Sequence, residues 1–129
     1  MNEQTRTPIT GIRTVGVPVS DQDRALEFYL DKLGFEKRLD TPLEQFGGRW
    51  IEVAPAGAAM TIALMPPREG IAPGVETGIR LTTADAAAVH ADLEANGVVV
   101  GELMRWPGVP VMFAVRDQDG NGLEIVEAR

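Results

Sequence analysis

Hydrophobic and polar positions along the first part of the chain predict a strand followed by a helix. Residues 14–19 alternate between valine and a polar or small residue, which is typical of a half-buried strand. Ser20 is a candidate helix N-cap, and Gly34 is a candidate C-terminal stop. Between them, apolar residues recur at helical spacing: Ala25, Leu26, Tyr29, Leu30 and Leu33.

The same order of elements recurs in the second half of the chain. Ile79 and Leu81 alternate with small and polar residues, Thr83 is a candidate N-cap, and Gly97 is a candidate stop. The two candidate caps are 63 residues apart, and so are the two stop glycines. The repeat predicts two related modules.

Three further strands are predicted after each helix, so each half is βαβββ. These strands are 35–40, 49–55 and 60–66 in the first half, and 98–103, 111–117 and 122–128 in the second. A half of about 60 residues buries too little surface to fold alone, so we expect one domain. The predicted boundaries are a flexible tail 1–9, a domain 10–128, module 1 at 10–66, a Pro- and Gly-rich linker 67–75, and module 2 at 76–128.

Composition narrows the classes of partner. The chain has 129 residues, a formal charge of −7 and no cysteine. Without a cluster of Lys and Arg, a nucleic-acid partner is not expected. The apolar runs are far shorter than a membrane span, and the polar N-terminus has no signal-like core. We therefore expect no membrane association and a cytoplasmic location.

Two segments together resemble the vicinal oxygen chelate superfamily, which includes glyoxalases, bleomycin-resistance proteins and extradiol dioxygenases. They are VPVSDQDRALEFYLDKLGF (17–35) and DQDGNGLEIVE (117–127). The resemblance implies an α+β fold in which two tandem βαβββ modules form a U-shaped, cup-like mixed sheet. It also implies a homodimer, because many members dimerise.

In metal-dependent members of the superfamily, four strand positions hold a divalent ion inside the cup. The resemblance places these positions at Thr14, Ala63, Gly78 (or Thr77 or Ile79) and Glu124. Only Glu124 is a metal ligand, whereas a catalytic site takes about three protein ligands. We therefore expect no metal cofactor, and a divalent metal held in part by Glu124 is the alternative. The single histidine, His90, lies on the second predicted helix, outside the cup.

The segment beginning at Asp117 also matches the start of a calcium-binding loop. Such a loop needs a glutamate at its twelfth position, which here is Ala128, and it needs flanking helices. The flanking segments read as strands. A hairpin turn built from Asp, Gly and Asn is the better interpretation.

Strand alternation predicts which side chains line the cup if Glu124 faces inward. We expect Arg80 to pair with Glu124 or Glu52 there, because charges in a partly closed space need partners. Apolar walls with a few polar groups are typical of a small-molecule pocket. The predicted lining is Thr14, Trp50, Glu52, Arg80, Met112 and Glu124, with Phe46 from a loop.

The favoured function is the binding of a small, partly apolar ligand without a metal, as in bleomycin-resistance proteins. A lyase or isomerase is the alternative, with Glu124 and Glu52 as acid–base groups and Arg80 stabilising an anion. A metal-dependent glyoxalase or dioxygenase is a further alternative. Each residue also has a structural interpretation: Trp50 can be core, and the charged residues can be simple ion-pair partners. Trp106, in the segment 102–111, is a candidate lid or dimer contact.

Overall fold

The computed structural model of the protein describes residues 7–128, apart from the side chain of Phe46. Most of the tail predicted for residues 1–9, namely residues 1–6, lies outside the described residues, as does the predicted ligand contact of the Phe46 side chain. Residues 7–13 precede the first strand and have no regular secondary structure.

The described residues form eight strands and two α-helices in two successive βαβββ units. The elements are β1 (Thr14–Pro18), α1 (Gln22–Glu27), β2 (Glu36–Leu43), β3 (Gly48–Ala54), β4 (Thr61–Met65), β5 (Glu76–Thr83), α2 (Ala86–Ala95), β6 (Val99–Val100), β7 (Met112–Arg116) and β8 (Gly122–Glu127). A π-helical segment (Phe28–Lys32) extends α1, and a 3-10 turn (Glu44–Phe46) precedes β3.

Each unit forms its own four-stranded mixed sheet, with the orders β1-β4-β3-β2 and β5-β8-β7-β6. The pairs β1–β4 and β5–β8 are parallel, and the remaining pairs are antiparallel. This arrangement confirms the predicted α+β class with two βαβββ modules. We call the units module 1 and module 2.

Both helices begin slightly later in the chain than the pattern predicts. The N-caps are Asp21 and Asp85, whose carboxylates accept hydrogen bonds from backbone N–H groups inside the first turn. The prediction of Ser20 as the N-cap is wrong. Its N–H and hydroxyl both donate to the Asp119 carboxylate of module 2. Thr83 accepts a hydrogen bond from Asp85 N instead of capping the helix.

The strand predicted at 98–103 is much shorter in the structure. It is reduced to β6, two residues long, and an isolated bridge between Met104 and Met112 follows. Residues 101–111 otherwise leave the sheet as a loop. The two prolines of this loop, Pro107 and Pro110, cannot donate hydrogen bonds to a strand ladder, which favours the irregular conformation.

One face of each sheet packs on the helices, and the two packed faces share a single core. Alternation places most of the aliphatic strand residues on this side, as predicted for the valines of β1. The members of the core include Val17, Tyr29, Ile51, Val53, Leu64, Leu93, Phe113 and Ile125. The other face of each sheet, which we call the open face, carries the polar side chains.

The turn between β7 and β8 connects the two modules through buried polar groups. Asp117 lies in the core and accepts hydrogen bonds from the Tyr29 hydroxyl, from the Asn121 side chain and from two backbone N–H groups of its own turn. Asn121 donates to Pro18 O and accepts from two N–H groups of the linker. The flanking elements are strands, in agreement with a hairpin turn.

Within residues 7–128, no helix is long and apolar enough to cross a membrane.

Candidate functional site

Glu52 is the centre of a hydrogen-bonded cluster on the open face of module 1. Its side chain is only 3% exposed, and both carboxylate oxygens have donors. Oε1 accepts from the Thr61 hydroxyl at 2.8 Å, and Oε2 accepts from Trp50 Nε1 at 2.7 Å and from Arg13 Nε at 3.2 Å. A cavity of about 270 Å³ lies beside this cluster, between Arg13 and Arg38.

These hydrogen bonds determine the protonation state of Glu52. Burial alone would raise the pKa of the carboxyl, but the hydrogen bonds from Trp50, Thr61 and Arg13 together outweigh burial and lower it. Glu52 is therefore ionised at neutral pH, and both of its oxygens accept hydrogen bonds. The predicted role of Glu52 as an acid–base group stays a prediction, and this environment disfavours proton donation.

Glu124 and Arg80 form the corresponding pair on the open face of module 2. The register of the parallel strands β5 and β8 places the two residues side by side. Arg80 Nε lies 2.9 Å from Glu124 Oε1, so the predicted ion pair is present. The N–H does not point along a hydrogen-bond direction, however, and Oε1 is buried without a hydrogen-bond partner. The contact is electrostatic.

The two carboxylates belong to separate clusters. Glu52 is bound by Trp50, Thr61 and Arg13, whereas Glu124 is paired with Arg80. Across residues 7–128, no hydrogen bond or ion pair connects one cluster with the other. Each module of a single chain therefore presents its own polar centre.

The other three predicted metal positions carry no ligand atoms suited to a divalent ion. The Thr14 hydroxyl oxygen lies 2.8 Å from that of Thr61, and Ala63 is buried. Gly78 has φ of +76° at a register irregularity in β5, where an L-residue is disfavoured. In the described part of the chain, no three His, Cys, Asp or Glu side chains are grouped as a metal site requires.

The remaining predicted residues lie around these clusters. Met112 is half-buried in β7, and its backbone pairs with Met104. Trp106 is 63% exposed on the loop 101–111. His90 Nε2 lies 2.9 Å from Gly101 O, and the His90 ring packs edge-on against Phe113. That places His90 on the helix side of the sheet, as predicted.

Sequence reasoning missed two partners of Glu52, Arg13 and Thr61. Arg13 lies just before β1, where strand alternation makes no prediction, and it reaches Glu52 across 39 positions of the chain. Thr61 begins β4, and its side chain shares the open face with Glu52 because β3 and β4 pair. The alternation rule, applied to β4, would have placed Thr61 on the open face.

Comparison with known proteins gives consistent results. A family model for the Glyoxalase/Bleomycin resistance protein/Dioxygenase superfamily matches residues 11–125. The protein YetH of Bacillus subtilis (strain 168), described as uncharacterized, is 34% identical over 119 residues, covering 88% of this chain and 94% of YetH.

Solved structures with the same architecture extend over nearly the whole chain. TnmS3, an antibiotic binding protein from Streptomyces sp. CB03234, is 32% identical, covers 96% of this chain and 100% of its own, and has a TM-score of 0.84. A superfamily member from Sphaerobacter thermophilus DSM 20745 is 34% identical, covers 93% and 98%, and has a TM-score of 0.86. The chain thus belongs to the glyoxalase, bleomycin resistance protein and dioxygenase superfamily.

Proposed function

We propose that this protein binds a small, partly apolar molecule on the open faces of its sheets, without a metal ion and as a homodimer. The observation that carries the proposal is the cluster of Trp50, Glu52 and Arg13. Arg13 and Glu52 line a cavity of about 270 Å³ together with Arg38, Leu39, Ala59 and Thr61, and Trp50, which is not part of this lining, donates to Glu52. Apolar surface with a few oriented polar groups is what small-molecule sites have in common.

The residues at the superfamily's metal positions support a site without a metal. Thr14, Ala63 and Gly78 offer no carboxylate or imidazole, so Glu124 would be left as a lone ligand. Arg80, 2.9 Å from Glu124, supplies a fixed positive charge where other members place a cation. A guanidinium cannot act as a Lewis acid, and this favours binding over metal chemistry.

A homodimer would give the ligand a more enclosed site. In one chain the polar centres of the two open faces, buried Glu52 and partly exposed Glu124, have no contact with each other. A second copy could place its module 2 opposite module 1 and enclose a ligand between Glu52 and Glu124. TnmS3 is described as an antibiotic binding protein, so antibiotics are the first class of ligand to test.

A lyase or isomerase is the second candidate, and one observation favours it. Glu124 Oε1 is buried without a hydrogen-bond donor, and the Arg80 guanidinium lies beside it. Such an oxygen could accept a proton from a bound molecule, and Arg80 could stabilise the resulting anion. Glu52, with its lowered pKa and three hydrogen-bond donors, would then be a positioning group.

Fluorescence titration of a Trp106→Phe variant tests binding, because Trp50 is then the only tryptophan. Aromatic compounds, antibiotics included, would be added to this variant and to the matched Trp50→Phe variant. We expect a saturable change from Trp50 and none from Trp106. The proposal is wrong if no compound in a broad panel saturates, or if the response comes from Trp106 alone.

Three further measurements separate the alternatives. Elemental analysis of protein purified without added metal should show well below one equivalent of any divalent metal ion, and a stoichiometric divalent ion would refute the metal-free site.

Mass spectrometry of a bound compound should recover it unchanged. Conversion that is abolished by Glu124→Gln would establish an enzyme instead. Sedimentation at micromolar concentration should show a dimer, and ligand binding by a monomer would refute the shared site.

A further inference from the structure

A second cavity lies between the modules, and it shares one lining residue, Thr61, with the cavity beside Glu52. Its volume is about 510 Å³, within the range of small-molecule sites, and it separates the β3–β4 turn (residues 55–60) from β5. We call it the inter-module groove. Its apolar lining includes Val15, Val53, Met60, Ile62, Ile79 and Leu81.

The groove continues toward the core. A smaller cavity of about 210 Å³ shares Pro55, Leu81 and Thr82 with it and reaches Leu93 and Ile125. An apolar ligand could therefore bury much of its surface between the two modules.

The corresponding space in the other half of the molecule is filled. There the β7–β8 turn packs on module 1, and Asp117, Asp119 and Asn121 form hydrogen bonds with Tyr29, Ser20 and Pro18. The β3–β4 turn, PAGAAM, has no polar side chain. Among the described residues it makes no hydrogen bond to module 2. The groove exists because the β3–β4 turn lacks the polar contacts by which the β7–β8 turn packs on the other module.

The wall of the groove is held in place by Arg38. Its Nη1 donates to Ala58 O at 2.8 Å, its Nη2 donates to Pro55 O at 2.9 Å, and its Nε is paired with Glu36. Arg38, which lies in β2, therefore holds two carbonyl groups of the turn in place. A preformed wall lowers the entropic cost of binding a ligand.

The opposite wall carries the only charge among the residues that line the groove, Arg80. The four residues 79–82 of β5 all line the cavity, so the groove follows the edge of this strand rather than one face. The Arg80 side chain is 65% exposed, and its Nε is occupied by Glu124. Its two terminal nitrogens donate no hydrogen bond to residues 7–128. They could donate two parallel hydrogen bonds to a carboxylate or sulfonate.

We propose that the inter-module groove is a second ligand site, which takes a small apolar molecule carrying one acidic group. The apolar part lies along Val53, Ile62 and Leu81, and the acidic group is bound by the terminal nitrogens of Arg80. This site does not depend on a dimer or on ligand binding at the Glu52 cluster.

The test compares two fluorescent probes that differ in one acidic group. 8-Anilinonaphthalene-1-sulfonate carries a sulfonate, and N-phenyl-1-naphthylamine has the same apolar frame without it. We expect the wild-type protein to bind the sulfonate with a Kd at least about tenfold lower. Arg80→Gln should remove this difference while retaining the weaker binding of the neutral probe.

Two variants of the same turn locate the probes. Ala56→Trp places a large ring at the exposed mouth of the groove and should weaken both probes by at least about tenfold. Ala59→Trp, three positions later, faces the cavity beside Glu52 instead and should leave both affinities unchanged. The proposal is overturned if the wild-type protein binds neither probe, if Ala56→Trp has no effect, or if Ala59→Trp is the variant that abolishes binding.

Discussion

Tyr29 and Asp117 are 88 positions apart in the chain, yet the Tyr29 hydroxyl donates a 2.9 Å hydrogen bond to the Asp117 carboxylate in the core. Tyr29 belongs to module 1 and Asp117 to the β7–β8 turn of module 2. The shared core between the modules therefore contains a satisfied polar network as well as apolar contacts. The position of each open face relative to the other depends on this network.

Replacing Tyr29 by phenylalanine should destabilise the protein by about 1–3 kcal/mol at pH 7, because buried Asp117 loses one donor. Burial, followed by the charge of Asp117, raises the pKa of Tyr29. A raised pKa in the folded state means that stability is present below the ordinary tyrosine pKa of about 10 and is lost as pH rises above it. Urea unfolding at pH 7 and at about pH 11 measures both effects.

The difference between wild type and Tyr29→Phe should shrink at the alkaline pH. Lys32→Met is the control, since Lys32 also contacts module 2 through Asn96 O but is exposed. We expect that control to change stability by less than about 0.5 kcal/mol. A Tyr29→Phe variant as stable as wild type would show that the hydrogen bond makes no net contribution.

Asn121→Asp should destabilise the protein much more, although the two side chains have the same shape. The Asn121 amide group is fully buried and donates to Pro18 O at 2.8 Å and to Asp117 Oδ2 at 3.0 Å. A carboxylate would remove both donors and place a second buried negative charge beside Asp117. We expect a loss of about 3–5 kcal/mol in urea unfolding.

Asn96→Asp is the matched change at an exposed site, where the side chain donates to Asp92 O at the end of α2. It should cost no more than about 1 kcal/mol. Equal effects of the two variants would mean that the Asn121 network has no special role in joining the modules.

The fold was predictable because most of its signals are local. The alternation in β1 depends on neighbours within one module, and its recurrence 63 residues later predicted the second βαβββ unit. Ser20 was wrongly predicted as an N-cap because its side chain donates to Asp119, 99 positions away. Capping propensity depends on the local sequence and does not predict so distant a partner. β6 was overestimated because VVVGEL fits a strand locally, whereas its only partner strand, β7, pairs with just two of its residues.

The site was predictable only in part. Alternation and charge were enough to anticipate the Arg80–Glu124 pair, since both residues lie in regular strands. The network around Glu52 needed Arg13, which precedes any strand. The inter-module groove depends on the distance between the β3–β4 turn of module 1 and β5 of module 2. The sequence pattern does not predict the distance between two elements that belong to different modules.

Substituting the two carboxylates should show which one stabilises the fold. Glu52→Gln places an NH2 group among donors from Trp50, Thr61 and Arg13, and should cost about 1–3 kcal/mol at pH 7. Glu124→Gln removes only a partly exposed ion pair and should cost less than about 1 kcal/mol.

The Glu52 effect should also depend on pH. Its pKa is lowered in the folded state, so its contribution is present above the ordinary glutamate pKa of about 4.3 and is lost as pH falls through the folded value. Guanidinium unfolding at pH 7 and at about pH 3 should show the gap between wild type and Glu52→Gln closing at low pH. A constant gap would contradict the hydrogen-bond explanation for the lowered pKa.

Gly78→Ala should destabilise the protein by about 1–2 kcal/mol, purely through the backbone. Gly78 has φ of +76° in the irregular part of β5, where an L-residue is strained, and a Cβ there would meet no atom within 4 Å. Gly11→Ala is the matched control, because its Cβ would also meet nothing within 4 Å and its φ lies outside the left-handed region. We expect that control to be neutral or slightly stabilising. If thermal unfolding shows equal shifts for both variants, Gly78 is not required by backbone geometry, and its place at a superfamily metal position needs another explanation.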